Sequence, residues 1–269
     1  MAKADLSADY AIGAYLQDPD LYAEKWDQAA LSWREREHAI GRARLNIAYA
    51  DHPRQALDLF LPQGRPRGLL VFIHGGYWKA FDRKSWSHFA AGATLADWAF
   101  AIPSYRLAPE VRIADITQDV AQAITKAASL TPGDILIAGH SAGGHLCARM
   151  ATAGSGLPAD VAARIARIAP ISPVADLRPL LQADLGQELR LDAAQAQAES
   201  PILAENRLGV PTHVWVGAEE RATFLDQATR LSTAWPEARL HMAAGQNHFD
   251  ILDQLLDADS PMLRRFLPA

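Results

Sequence analysis

With 269 residues, 49% of them hydrophobic, and a formal net charge of −5, the chain can bury a large core as one α/β domain over residues 1–269. The acidic balance and the lack of a Lys/Arg cluster exclude a phosphate-tracking surface for nucleic acid. Arg34, Arg36, Arg42 and Arg44, interspersed with Glu35 and Glu37, read as a solvated helix face.

The start, Met1 to Asp9, has no apolar core of signal-peptide length, and no run approaches a bilayer span, so a cytoplasmic protein without membrane contact is expected. Residues 1–40 form an N-terminal helical segment, with a helix predicted from Asp20 to about Ala39. Its aromatics Tyr10, Tyr15, Tyr22, Trp26 and Trp33 either pack on the surface or fold across a site. Strands are expected at Arg44–Ala50 and Ala56–Phe60, then a buried strand at Gly68–Ile73. Further strands are predicted at Phe100–Pro103, Ile135–Ala138, Ile165–Ile171, Thr212–Val216 and Arg239–Ala243. Helices are predicted at Lys84–Leu95, Ile113–Ser129, Ala142–Ala153, Phe224–Trp235 and in the tail after Ile251. The alternation, free of repeats, implies a mostly parallel sheet covered on both faces. A cap-like insertion occupies roughly residues 173–208, with a helical run from Leu189 to Glu199.

Gly139-His140-Ser141-Ala142-Gly143 sits where a strand passes into a helix. A serine hydroxyl is a weak nucleophile until a base takes its proton and a tight turn exposes its oxygen, which makes Ser141 the candidate nucleophile. Two later loops, each after a strand, carry Glu219-Glu220 and Gln246-Asn247-His248. The order Ser, acid, His suits His248 as the base and one of the glutamates as its orienting acid. Upstream, the buried strand ends in His74-Gly75-Gly76-Tyr77-Trp78. A backbone N–H of Gly75 or Gly76, with that of Ala142, would bind a tetrahedral oxyanion. Tyr77 and Trp78 are candidates for substrate binding, with core packing as the alternative.

Neither H-E-x-x-H nor C-x-x-C spacing occurs, and neither a Walker A nor a G-x-G-x-x-G sequence is present, so no metal and no cofactor are expected. The single cysteine, Cys147, reads as a small core residue in a reducing compartment.

The H-G-G-Y-W segment, Gly139-His140-Ser141-Ala142-Gly143-Gly144-His145-Leu146 and His248-Phe249-Asp250 resemble the kynurenine formamidase (arylformamidase) group of α/β-hydrolases. The likeness extends to Ser104-Tyr105-Arg106-Leu107-Ala108-Pro109-Glu110 and, more weakly, to Tyr10–Trp33. In that group the acid stands four positions before a phenylalanine, so Phe224 and Gln227 select Glu220. The serine that commonly follows the acid, and the second acid before the phenylalanine, are replaced here by Arg221 and Thr223. The H-G-G-G and D-P-L-x-D patterns of hormone-sensitive-lipase-like esterases are absent.

The resemblance implies an α/β-hydrolase fold and a metal-independent serine hydrolase acting on N-formyl-L-kynurenine, with L-kynurenine and formate as products. Alternatives are a carboxylesterase of short acyl esters, a hydrolase of another N-acyl or N-formyl substrate, and a binding protein that has lost catalysis. The expected partner is a small amide or ester; a homodimer is compatible with such a chain.

Overall fold

The computed structural model describes residues 5–13 and 19–268; Tyr15 and the segment 1–4 lie outside the described residues. Helices α1 (Ser7–Tyr10) and α2 (Pro19–Ala39) precede strands β1 (Ala43–Ala48), β2 (Ala56–Phe60) and β3 (Gly68–Ile73). The alternation continues with α3 (Ala90–Leu95), β4 (Ala99–Pro103), α4 (Ile113–Leu130), β5 (Asp134–His140), α5 (Ala142–Met150), α6 (Ala159–Ala162) and β6 (Ile165–Ile171). Then come α7 (Asp184–Glu188), α8 (Ala193–Ala198), β7 (Thr212–Gly217), α9 (Ala222–Ala234), β8 (Ala238–Ala243) and α10 (Pro261–Phe266).

The strands form one eight-stranded sheet in the order β1-β2-β4-β3-β5-β6-β7-β8. Strand β2 runs antiparallel to both its neighbours, and β4 through β8 pair in parallel. Side chains alternate across the central strands, so both faces need cover. Leu69, Val71, Ile73, Ile135 and Ile137 join Ile116, Val120 and Ile124 of α4 and Leu146 of α5. From the opposite face, Leu70, Phe72, Leu136 and Ala138 meet Trp26 of α2, Trp86, Phe89 and Phe266 of α10. Each such fully buried large side chain stabilises the fold by about 1.5–3 kcal/mol. Among the described residues no helix is long and apolar enough to cross a membrane.

Several predicted elements are revised. The Lys84–Leu95 helix opens as a 3₁₀ turn over Arg83–Phe89 before becoming α3. Arg83, Trp86 and Phe89, three apart, are all buried, and three-residue periodicity places such residues on one face. The Leu189–Glu199 run is helical only over α8, because Asp192 caps it, accepting from the Gln195 N–H at 2.8 Å, and Arg190 takes a left-handed φ of 52°. The tail divides into a 3₁₀ turn, Asp250–Leu255, and α10, which restarts where the Ser260 hydroxyl accepts from the Leu263 N–H at 3.1 Å.

The arginine-rich face is likewise only partly solvated. Arg36 and Arg44 are exposed. Arg34 is buried and paired with Asp58 of β2, to which Arg83 also donates at 3.1 Å. A carboxylate fully enclosed in the core demands such partners, and here they fasten α2 to the sheet.

Candidate active site

At the carboxyl end of β5 the chain reverses sharply into α5. Ser141 sits at the corner with φ 56° and ψ −116°, a strained conformation that turns its side chain away from the sheet. Its N–H is held by the Ile171 carbonyl at 2.9 Å, and its own carbonyl accepts from His145 N–H at 3.0 Å to open the helix. Gly143 is required by contact: a Cβ there would stand 2.0 Å from the Ile73 carbonyl oxygen.

The loop after β3 runs beside this corner. A Cβ on Gly75 would lie 3.3 Å from the Ser141 Cβ. Gly76 follows with φ 112°, a conformation that favours glycine. The Gly75–Gly76 loop thus passes beside Ser141 and the first turn of α5, where backbone donors lack helical partners.

The loop after β7 separates the two glutamates. Glu219 is exposed and Glu220 is buried. Glu220 Oε2 lies 2.6 Å from His248 Nδ1, while Oε1 accepts from Ser172 Oγ at 2.5 Å and the Gly217 N–H at 2.8 Å. Three contacts fix this carboxylate, and because a carboxylate only accepts, it orients the imidazole with Nδ1 toward it. Ser172, at the end of β6 with φ 48°, was not marked by any motif. His140, inside the nucleophile motif but given no role there, is a second support: its Nε2 stands 2.7 Å from the His248 carbonyl. Burial holds the His140 imidazole well below its usual pKa, so it is neutral and can donate Nε2–H to that carbonyl.

Ser141 and His248 line one cavity of about 300 Å³ with Ile12, Gly13, Tyr22, Trp26, Phe81, Trp86 and Phe249. Tyr22 packs edge-on against Phe249 at 5.2 Å, and Trp26 meets Trp86 at 4.9 Å between ring centres. Of the N-terminal aromatics, Tyr22 and Trp26 thus line the site, whereas Tyr10 packs on Phe224 and Trp33 on Phe60, outside the cavity lining; Phe81, Trp86 and Phe249 complete the wall.

Tyr77 and Trp78 part company. Tyr77 lines the cavity, but its hydroxyl bonds to backbone at Ile12 and Tyr10. Trp78 as a substrate contact is corrected: it is 1% exposed, and its indole N–H donates to His145 Nδ1 at 3.3 Å. His145 Nε2 faces the Glu199 carbonyl at 2.6 Å, and burial pushes its pKa down to about 4. A neutral histidine with one acceptor nitrogen satisfies both partners, so the indole has a reason to point inward. Cys147 is buried, its thiol 3.2 Å from the Ile137 carbonyl and raised in pKa by that burial.

A family model described as the alpha/beta hydrolase fold matches residues 70–249. A crystal structure of a protein from Silicibacter sp. TM1040, provisionally described as a thioesterase, is 46% identical with a TM-score of 0.94, covering 98% of this chain and 99% of that one. Kynurenine formamidase from Salmo salar is 23% identical, with coverage of 84% of this chain and 81% of the relative. The enzyme of that name from Drosophila melanogaster is 26% identical, over 78% and 76%. The sheet order, the turn at Ser141 and a family match across most of the chain lead to one assignment: this chain belongs to the α/β-hydrolase family and is a serine hydrolase.

Proposed function

We propose that the chain hydrolyses a small amide or ester through Ser141, His248 and Glu220, and that an aryl formamide of the N-formyl-L-kynurenine type is its substrate. The carrying observation is the 2.6 Å contact between His248 Nδ1 and Glu220 Oε2 in the same cleft as Ser141. In this reading His248 Nε2 removes the Ser141 hydroxyl proton as Oγ attacks the carbonyl carbon. The backbone N–H groups of Gly75 or Gly76 and Ala142 receive the oxyanion. The imidazolium, stabilised by Glu220, then protonates the leaving amine, and water repeats the sequence to free formate and Ser141.

The likeness to two kynurenine formamidases over most of the chain and the aromatic wall of the cavity support an aryl leaving group. A second reading, hydrolysis of short acyl esters or thioesters, draws on the thioesterase description of the 46% identical protein. It also draws on the cavity lining, where the described residues bring aromatic and aliphatic groups but no ionic partner for an amino-acid head group.

The test is hydrolysis of N-formyl-L-kynurenine beside p-nitrophenyl acetate by the wild type and Ser141→Ala. A kcat/KM far higher for the formamide, abolished in the variant, supports the first reading. Ester turnover alone, also abolished, selects the second. Activity surviving in the variant removes the mechanism.

A further inference from the structure

The Tyr77 hydroxyl, one residue beyond Gly76, is engaged by the chain itself: it accepts from the Ile12 N–H at 3.1 Å and donates to the Tyr10 carbonyl at 3.1 Å. Ile12 and Gly13, brought in by this clamp, line the cavity that holds Ser141 and His248. The same short segment is tied down at other points. Gln227 Nε2 donates to the Tyr10 hydroxyl at 3.1 Å, and the Tyr10 ring packs edge-on against Phe224 at 6.3 Å. Arg221, adjacent to Glu220, donates to the Ala8 carbonyl and faces the Asp9 carboxylate at 3.4 Å. The Leu6 N–H reaches the Gln182 carbonyl at 2.9 Å, and the Asp184 N–H reaches the Ser7 hydroxyl at 2.9 Å.

These ties join residues 6–13 to two loops of the site, the glycine loop through Tyr77 and the acid loop through Arg221, and to the neighbouring segment of Gln182 and Asp184. Ordering a chain segment costs conformational entropy, and bonds that anchor it beside a reactive serine set the shape of one cavity wall. Arg221 stands where a serine is common in the resembled group, and the strap contact gives that replacement a use.

We propose that residues 6–13 form a recognition strap, with Ile12 contacting the aromatic ring of the leaving group against the wall of Tyr22, Trp26 and Phe249, and with Tyr77 and Arg221 as positioning residues that hold the strap. The inference rests on Ser141 acting as the nucleophile of that cavity. It assigns to the strap the preference for a flat aromatic leaving group over a small alkyl one.

Phenyl acetate and methyl acetate test this, because both give the same acetyl-enzyme and differ only in the group expelled. The readout is the ratio of their kcat/KM values in the wild type, Tyr77→Phe and Arg221→Ala, with hydrogen exchange of segment 6–13 measured on the same proteins. Tyr77→Phe keeps the ring and removes both clamp bonds, so the phenyl-to-methyl ratio is expected to fall about tenfold, with faster exchange at Ile12. Arg221→Ala, whose side chain is outside the cavity lining, is expected to lower the ratio in the same direction. An unchanged ratio in both variants overturns the strap. Equal loss on both esters also overturns it, since that marks damage to the oxyanion loop. A lowered ratio with wild-type exchange overturns the indirect role, because Tyr77 would then act on the ligand itself. Turnover of both esters in Ser141→Ala, by contrast, overturns the nucleophile beneath the inference, whatever the ratio does.

Discussion

The cleft has two sides built by different means. On the polar side, backbone geometry and a carboxylate with three partners place Ser141, Glu220 and His248 at strand ends. Across from them, Ile12, Tyr22, Trp26, Phe81, Trp86 and Phe249 come from separate stretches of chain and meet only through packing. The polar side tolerates little change because each donor has a partner that would be left buried and unsatisfied. The aromatic side is a matter of volume and shape, where substitution tunes affinity in smaller steps. Reaction type is therefore written into the first and substrate choice into the second.

The sharpest break in that contrast is Ser141→Ala, expected to lower kcat by about 10⁴–10⁶-fold if the triad acts as a unit. Steady-state assay of a short ester checks it, with circular dichroism to establish folding. Next is the pair of glutamates. Glu220→Gln should cost about 10³–10⁴-fold in kcat through loss of the charge and tautomer control facing His248. Glu219→Gln, at an exposed position, should stay within about twofold of the wild type, as surface changes usually do. The reverse pattern would move the acid to Glu219.

How much of this was legible in the sequence follows the same division. Strand-to-helix punctuation and a local G-x-S-x-G pattern make Ser141 readable, because the constraint on it lies within five residues. Position in the loop left Glu219 and Glu220 open, and the resemblance chose Glu220 through Phe224 and Gln227; in the structure it is Glu220 that is buried against Ser172 and Gly217. Arg34 was misread because its partner, Asp58, is distant in sequence and close only once β2 is in the sheet. Tyr22, Trp26 and Tyr77 could be named as site candidates, but the rest of the pocket wall was illegible for the same reason: Ile12, Phe81 and Phe249 carry no periodicity that links them. The eight-stranded order, with β2 reversed, was legible only as a mostly parallel sheet.

The polar side also predicts a pH response. His74 and His145 are each pushed down to about 4, chiefly by burial, from an unfolded value near 6.5. Between these values the unfolded chain binds protons that the folded one refuses. Their contribution is thus fully present above about pH 6.5 and is lost as pH falls toward 4, at up to about 1.4 kcal/mol per pH unit for each histidine. Urea unfolding at pH 7.5, 6 and 5 should show the midpoint falling across that interval. A flat profile from pH 7.5 to 5 would show that these two rings do not govern acid stability.

The smallest expected effect tests the boundary between the two sides, where Tyr77 and Trp78 are neighbours with opposite assignments. Trp78→Phe keeps an aromatic in the core but removes the donor to His145 Nδ1, leaving a buried acceptor unpaired at a cost of about 1–3 kcal/mol. The loss should appear as a Tm lower by several degrees in calorimetry, with kcat/KM on a short ester within about threefold of the wild type because the indole lies off the cavity. A large fall in kcat/KM with an unshifted Tm would return Trp78 to the substrate side.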